Sequence, residues 1–530
     1  MYTKVNIVRS KDKTYRYLYI VESYRDKNKK PRQRLLFKLG NLDEMIKTGK
    51  LDSLIRSLSK HSKTQYVLEA EEGVIEDARI LGSVLAVEKI FKELGLEEKL
   101  RQLQRERRIK YDFVRAVKLM VLNRVIYPAS KLATERWKEE LYNAEEYEGI
   151  KLQHLYRTLD ILVQEDQGLK EHLYRKQLEL FRPEVRVVYY DLTTLYFESE
   201  VEDELKRYGF SKDKRNDCVQ VVLGVVLSGD GTPIDYQVHP GNTFEGKTVI
   251  ETVKRLRAEY DVEKVIFVGD RGLVSKKNLE ELERLGCGYV IAARVKKLSE
   301  DVKEKIAKEE GWEKIDERLE AKELRVDERK LVVYRDQELA RLEKERRKEL
   351  LEWLGKQIQS NPKRLMSKRS YSRYLHIEGA KISLNLEAIR KEERLDGVFG
   401  FWCGDEAIGK EEAYRIYKGL WQVEDAFRSM KSYLRVRPIY HWSPDRVLGH
   451  MVLCYMAFCV LKAMEKKLRA HGLDISPRRA IEKLSRVRSV GIVTDKGRVR
   501  FRTEVKGELA ELFRALGVRI PPVILSVQEA

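Results

Sequence analysis

The sequence predicts an α/β fold in which a mixed β-sheet is flanked by helices and interrupted by an insertion. The first indication is VRVVYYDLTTLYF, a strongly strand-prone run that begins at residue 185 and is followed by two further strand-like runs. The second is KVIFV, a fully apolar strand after a crossover helix, which is typical of a central parallel strand. The third is a highly charged stretch, 296–399, that precedes a renewed apolar strand.

The first 180 residues divide into two parts. Residues 1–40 alternate apolar and polar side chains, and DKNKKPR lies between two such runs, which predicts a basic β-rich module with a hairpin over residues 1–70. Residues 71–180 predict a helical domain, since apolar residues recur at helical spacing from Ile80 to Leu94 and Gly95 is placed to end that helix. Its segment YPASKLATERWKEEL is either a helix-turn-helix element or a plain helix with a Ser cap.

Residues 181–295 hold the first part of the predicted sheet. VRVVYYDLTTLYF, VQVVLGVVL and PIDYQVHPG predict an antiparallel meander, with the turn-rich SGDGT before the third strand. The helix TVIETVKRLRAEY, the strand KVIFVGD, the helix SKKNLEELERLG and the strand GYVIAAR follow. This order of three strands, helix, strand, helix, strand is the one found in ribonuclease H-like folds.

The rest of the chain divides into three segments. We expect residues 296–399 to form a charged insertion domain, and residues 400–465 to resume the core with GVFGFWCGDEAI and a long helix. Residues 466–530 are a basic, mixed tail to which the sequence assigns no role. The apolar run MVLCYMAFCVL is about half the length that a bilayer requires, so we expect a buried core helix and no membrane association.

Composition favours a nucleic acid as partner. The net charge is +19 and the isoelectric point about 9.3, and residues 1–66 alone hold 17 Lys and Arg against 6 Asp and Glu. Such an excess fits a polyanion, whereas the charged surface of a heat-adapted protein would be nearly balanced in sign. We expect residues 71–180, which hold the possible helix-turn-helix element, to be a DNA-binding domain.

The cysteines and the N-terminus indicate a cytoplasmic protein. There are five cysteines and no CxxC pair, which predicts reduced thiols and excludes a zinc finger. The N-terminal MYTKVNIVRSKDK lacks the apolar core of a signal peptide.

Two aspartates stand at positions where a carboxylate is costly. Asp191 interrupts the apolar run VVYYDLTTLYF, and Asp270 ends KVIFVGD, the most apolar strand in the chain. If these strands are neighbours, both carboxylates project towards one point and repel each other unless a divalent cation lies between them. Two such cations activate a water or a 3′-hydroxyl and stabilise a leaving oxygen, as phosphodiester cleavage requires.

A third carboxylate comes from the helix YKGLWQVEDAFRSMK. Tyr417, Glu424 and Lys431 are seven residues apart and so share one face of a continuous helix. Asp425 points about 100° away, which favours Glu424 as the third ligand. The alternative is an exposed Glu424–Arg428 pair without a catalytic role.

These segments together resemble the DDE transposases of bacterial and archaeal insertion sequences, and within them the IS-four-like superfamily. Its signature helix, YxxRxxxExxxxxxK, is matched here by Tyr417, Glu424 and Lys431, while Leu420 replaces the arginine. YYDLTT, VGDRGLVSKKNLEEL, FRSMKSYLRVRPIYHW and the stretch from GFSKDKRNDC to GNTFEGKT carry the resemblance further, over roughly 110–465.

The resemblance implies a ribonuclease H-like core with Asp191, Asp270 and Glu424 as catalytic residues that bind two Mg²⁺ or Mn²⁺ ions. Arg271, Tyr417, Arg428 and Lys431 are then expected to contact DNA phosphates. The implied partners are double-stranded DNA, as terminal inverted repeats and as target, and a second copy of the chain in a synaptic complex.

Two other functions compete with this interpretation. GNTFEGKT matches the phosphate-loop pattern GxxxxGK[ST], which would make the protein a P-loop NTPase, but PIDYQVHP before it alternates as an antiparallel strand does. A catalytically inactive DNA-binding relative is the second alternative, and the replacement at Leu420 is the one feature in its favour.

Overall fold

The computed structural model describes residues 2–10, 13–25, 30–59, 73–183, 185–260, 266–270, 272, 275–360, 369–378, 381–437, 439–494 and 497–529. It is a mixed α/β structure built on one large mixed sheet with helices on both faces.

The N-terminal segment forms an antiparallel three-stranded sheet in the order β1-β2-β3, followed by two short helices. The elements are β1 (Tyr2–Ser10), β2 (Lys13–Arg25), β3 (Pro31–Asn41), α1 (Leu42–Lys47) and α2 (Lys50–Ser59). The side chain of Asn41 caps α1 by accepting from the N–H of Glu44. These elements pack chiefly against one another.

A helical region follows, and its first element differs from the prediction. A helical domain was expected over residues 71–180, but β4 (Gly73–Ile80) is a strand and the first helix of this region begins at Gly82. β4 pairs with a strand near the C-terminus, where Ile80 lies opposite Arg488. A strand whose partner lies so far away in sequence has no local pattern that marks it as a strand. The helical spacing that begins at Ile80 was therefore extended too far towards the N-terminus.

The helices of this region pack around a long apolar helix from the second half of the chain. They are α3 (Gly82–Glu93), α4 (Leu96–Glu106), α5 (Phe113–Ile126), α6 (Lys131–Trp137), α7 (Leu152–Gln164) and α8 (Asp166–Phe181). The central one is α16 (Pro444–Ala470). It is long and apolar enough to cross a membrane, yet 94% of its apolar window is buried inside the fold, as expected for a core helix.

The large sheet has nine strands in the order β10-β11-β12-β15-β9-β8-β5-β6-β7. They are β5 (Val187–Tyr196), β6 (Gln220–Ser228), β7 (Pro233–Pro240), β8 (Ile266–Gly269), β9 (Gly288–Ala292), β10 (Glu313–Lys314), β11 (Leu319–Val326), β12 (Arg329–Asp336) and β15 (Val398–Cys403). The predicted meander of β5, β6 and β7 is confirmed as antiparallel. β8 is central and parallel to both β5 and β9, also as predicted.

Side chains alternate between the two faces of this sheet, which gives three layers. Tyr190 and Phe267 point to the face covered by α9 (Glu245–Tyr260) and α10 (Lys276–Arg284). Tyr189 and Val268 point to the opposite face. That face carries α14 (Lys410–Lys418), α15 (Trp421–Arg428) and α16.

The segment predicted as an insertion contributes to the main sheet, because β10, β11 and β12 extend it beyond β15. The same segment holds α11 (Glu300–Ala307), α12 (Gln337–Ser360), α13 (Leu386–Glu393) and the hairpin of β13 (Leu375–Glu378) and β14 (Lys381–Leu384). The C-terminal tail forms a four-stranded sheet with β4, in the order β18-β17-β16-β4. Its elements are α17 (Pro477–Leu484), β16 (Arg488–Thr494), β17 (Gly497–Arg502), α18 (Glu508–Ala515) and β18 (Ile524–Glu529).

Candidate functional site

Asp191 lies on β5, and Asp270 follows directly after the neighbouring parallel strand β8. β5 pairs with β8 in a register that sets Tyr189 opposite Val268. The pairing ends there, and Asp270 follows directly after the end of β8, so a register continued by two residues would set it opposite Asp191. The sequence-based condition that the two strands be neighbours is therefore met.

Asp191 projects to the face that carries α14 and α15. Side chains two residues apart on a strand share a face, so Asp191 lies on the same side as Tyr189. The ring of Tyr189 packs directly against Gly419, between the two helices, where an added Cβ would collide with the Tyr189 hydroxyl. Burial raises the pKa of Tyr189 to about 12, which keeps this hydroxyl neutral.

A lysine that the sequence analysis did not single out contacts Asp191. Lys212 Nζ lies 3.5 Å from Asp191 Oδ1 and donates to the backbone oxygen of Leu192 at 2.6 Å. Its backbone N–H donates to Thr194 Oγ1 at 3.0 Å, which fixes the loop beside β5. An ammonium group therefore partly neutralises the half-buried carboxylate on β5. The stretch GFSKDKRNDC contains Lys212, and this was the signal available in the sequence.

The next residue, Asp213, joins this cluster to the segment that follows α15. Asp213 Oδ2 accepts from Lys431 Nζ at 3.0 Å and lies 2.6 Å from Arg437 Nη1. Lys431 is only 12% exposed, and burial lowers its pKa despite the nearby carboxylate. Lys431, the predicted phosphate contact, is thus mostly buried and paired with Asp213.

The helix that was expected to carry Tyr417, Glu424 and Lys431 on one face is not continuous. α14 ends at Lys418, and Leu420 and Val423 donate to carbonyls three residues earlier, in a tight turn that leads into α15. After Arg428 the helix widens into a π-helical segment, Ser429–Tyr433. The close approach of Tyr189 to Gly419 accompanies the first change, and it is a tertiary contact that heptad spacing does not reveal.

The other predicted site residues differ in their contacts and in their exposure to solvent. Tyr417 stacks on Phe401, with ring centroids 4.2 Å apart, and its hydroxyl donates to Asp270 Oδ1 at 3.5 Å. Glu424 is exposed in the first turn of α15, and no other described residue holds it by a hydrogen bond or an ion pair. Arg428 is 73% exposed, 3.7 Å from Asp425, rather than paired with Glu424. Leu420 is buried, and Arg271 lies outside the described residues.

The structure pairs Lys212 with Asp191 and Tyr417 with Asp270, on and beside neighbouring strands, and Glu424 joins neither pair. Within the described part of the chain, no three His, Cys, Asp or Glu side chains form a group that could hold a metal ion. The two aspartates supply the hard oxygen ligands that Mg²⁺ and Mn²⁺ prefer, so the donor chemistry fits a divalent cation. A third carboxylate would have to approach them for a closed set of ligands.

The phosphate-loop pattern GNTFEGKT does not have the surroundings of a nucleotide site. β7, which precedes it, is the antiparallel edge strand of the sheet. Thr248 is buried and its Oγ1 accepts from the hydroxyl of Tyr190 at 2.8 Å. The pattern therefore belongs to the packing of α9 against β5, and the P-loop interpretation is not supported.

Two family models match the chain. A model of the IS1634 family transposase N-terminal domain matches residues 4–72, and a model of the transposase DDE domain matches residues 183–460. No curated protein matches this sequence.

Two solved structures are weakly similar. The piggyBac transposase synaptic complex with hairpin DNA matches at 12% identity and a TM-score of 0.33, over 71% of this chain and 80% of that chain. The Mos1 transposase paired-end complex with left transposon end matches at 14% identity and a TM-score of 0.15, over 34% of this chain and 58% of that chain. Both likenesses are too weak to define the fold.

The DDE-domain match covers more than half of the chain and spans both aspartates, the lysine beside them and the α14–α15 segment. The protein belongs to the DDE-domain transposases and is a DNA transposase.

Proposed function

We propose that this transposase hydrolyses and rejoins phosphodiester bonds at the terminal inverted repeats of an insertion sequence, through Asp191, Asp270 and Glu424. The observation that supports the proposal is the parallel pairing of β5 with β8, because Asp191 lies on the first strand and Asp270 directly follows the second. In this proposal the large sheet is a ribonuclease H-like core, and the chain is an IS-four-like member of its class.

Asp191 and Asp270 would hold the divalent cations, Mg²⁺ or Mn²⁺, two per site, and Glu424 would complete the set. The bound cations would activate a water or a 3′-hydroxyl and stabilise the leaving oxygen. Tyr417 supports Asp270 through its hydroxyl, which keeps one carboxylate oxygen oriented. In the absence of a bound metal ion, the ammonium group of Lys212 partly neutralises the carboxylate of Asp191.

Glu424 is the third ligand that the local structure favours on α15. Its side chain is exposed and has no partner among the described residues, whereas Asp425 lies 3.7 Å from both Arg428 and Lys462. A carboxylate that no cation holds can turn towards the aspartates at little cost. Arg271, Tyr417, Arg428 and Lys431 remain the proposed phosphate contacts.

The proposed partners follow from charge as well as resemblance. The net charge of +19 favours double-stranded DNA, both as terminal repeats and as target. A homodimer in a synaptic complex and a cytoplasmic, nucleoid-associated location are part of the same proposal.

The test is cleavage of the DNA that flanks the gene, with cut sites mapped in the presence of Mg²⁺. We expect cuts at both ends of the element, none with a chelator, and activity restored by added Mg²⁺. Asp270→Asn should abolish cleavage and leave DNA binding intact, and Asp474→Asn, an exposed aspartate elsewhere, is the matched control. Undiminished cleavage by Asp270→Asn would overturn the assignment.

A second pair of variants tests the third carboxylate. Glu424→Gln should abolish cleavage, whereas Asp425→Asn, one residue further along α15, should leave most of it. The opposite result would transfer the role to Asp425.

A further inference from the structure

A cavity of about 590 Å³ lies between the helical region and the segment that follows the π-helical turn. One wall is the loop before α6, and the other is the chain from Arg435 to Arg446. The cations that line it are Arg124, Lys131, Arg435, Arg437 and Arg446. None of the described residues that line it is an Asp or a Glu.

Two of these cations are buried at the back of the cavity. Lys131 is 4% exposed and Arg124 is 5% exposed. The guanidinium of Arg124 donates to the backbone oxygens of Leu434 and Arg435, and its Nε has no hydrogen-bond partner in the described structure. Burial, together with repulsion from Arg124, lowers the pKa of Lys131 to about 7. Buried cations are normally paired with an acid, so this pair is arranged for an anion that comes from outside.

The rim of the cavity is aromatic and open to solvent. Tyr440 is 70% exposed and Trp442 is 74% exposed, the most exposed tryptophan in the described chain. Lys206 donates to the backbone oxygen of Trp442 at 3.0 Å, which holds this part of the rim in place. Flat, exposed rings beside a positively charged cavity are the features with which proteins bind single-stranded nucleic acid.

The cavity is connected to the candidate catalytic residues. Arg437 lines it and pairs with Asp213, whose neighbour Lys212 contacts Asp191. Ile439 forms a parallel bridge with Phe197, which ends the extended run that contains Asp191. Phe197 is the sixth residue after Asp191 along an extended chain, a distance of about 20 Å. A strand leaving the carboxylates is therefore within reach of the cavity.

We propose that this cavity binds a phosphodiester of a single-stranded DNA segment, with its bases stacked on Tyr440 and Trp442. The segment would be the strand separated from its complement next to the cleavage position, so the role in catalysis rests on the proposed function. Lys131 and Arg124 contact the phosphate, whereas Arg446 is paired with Asp160. The aromatic rim discriminates single strands from duplex by the exposed faces of unpaired bases.

The test compares binding of a labelled single strand of about 12 nucleotides with binding of the blunt duplex of the same sequence, by fluorescence anisotropy in a chelator. We expect Lys131→Met and Trp442→Ala each to weaken single-strand binding about tenfold, without changing duplex affinity. Trp442→Phe should retain most of the affinity because it keeps a stacking face. Lys92→Met, which removes an exposed lysine from α3, is the matched control and should change neither.

The outcomes separate this proposal from the catalytic one. Equal losses for duplex and single strand, or no loss in Lys131→Met and Trp442→Ala, would overturn the cavity proposal. Competition by inorganic phosphate or a free nucleotide as effective as that by the strand would also overturn it, in favour of a small-molecule site. Asp270→Asn should bind the single strand as tightly as the parent protein does, because binding does not require cleavage. If the parent protein cuts no DNA, the catalytic proposal fails, but single-strand binding can still be measured.

Discussion

Lys131 is a residue whose charge destabilises the fold. Its pKa is about 7 in the folded protein against an ordinary value of 10.5, because burial disfavours the ammonium form. Between these two values the unfolded chain holds more protons, so stability rises with pH across this window. Below about pH 7 both states are protonated and the full destabilisation is present.

Replacing Lys131 by Met should therefore stabilise the protein even though it weakens single-strand binding. The difference in the free energy of unfolding should be largest at and below about pH 7 and should shrink as the pH approaches 10.5. Denaturant titrations at the two ends of this window provide the measurement. A Met variant that is less stable than the parent at pH 7 would mean that Lys131 has a structural partner.

Gly419 is a second residue with a measurable role, because Tyr189 occupies the space that a Cβ would take. Gly419→Ala should lower the free energy of unfolding by about 1–3 kcal/mol, as overpacking does. It should also reduce cleavage, since Asp191 lies two residues from Tyr189 on the same face. Gly355→Ala in α12, where a Cβ meets nothing within 4 Å, is the control and should stabilise by about 0.5–1 kcal/mol. Denaturation and cleavage assays on both variants distinguish the effect of the collision with Tyr189 from the general effect of replacing a glycine by alanine.

At the scale of elements, α15 and its π-helical extension are fixed to the sheet through Asp213. Asp213→Asn removes the carboxylate shared by Lys431 and Arg437 and leaves two cations close together. We expect a loss of about 2 kcal/mol, less than for a fully buried pair, because all three groups keep some contact with water.

Asp217→Asn, in the same loop, tests whether the effect is specific. Asp217 pairs with Arg215 at the surface and is 65% exposed, so thermal unfolding of this variant should match that of the parent. Equal shifts for Asp213→Asn and Asp217→Asn would indicate that the loop as a whole matters rather than the buried carboxylate.

The elements that the sequence predicted well are those whose signal is local. The meander of β5, β6 and β7 and the parallel strand β8 follow from side-chain alternation and an apolar run, and they set Asp191 on one strand and Asp270 directly after its neighbour. The interruption near Gly419 depends on a contact with Tyr189, more than 200 residues earlier, and the pairing of β4 with β16 spans most of the chain. Lys212 was missed because the stretch GFSKDKRNDC holds several charged residues and nothing in the sequence shows which of them faces Asp191.

At the scale of the whole molecule, the N-terminal β-module is packed mainly within itself and carries much of the excess charge. Deleting residues 1–72 should leave the melting temperature of the remainder unchanged, because few contacts are lost. Duplex affinity should fall at least about tenfold at low salt, and its dependence on salt should become shallower. Anisotropy titrations over a salt series, with calorimetry of the same samples, measure both. An unchanged salt slope would place the main DNA contact elsewhere.

The position of α16 has a consequence for the synthesis of the chain. The helices that surround it, α3 to α8, end at Phe181, whereas α16 ends at Ala470. A ribosome adds about 5–20 residues per second, so the first helices wait roughly 15–60 s for the helix that fills their centre. During that interval the nascent chain presents an apolar groove, and we expect ribosome-bound chains stalled before residue 444 to recruit holdase chaperones that the completed protein does not bind.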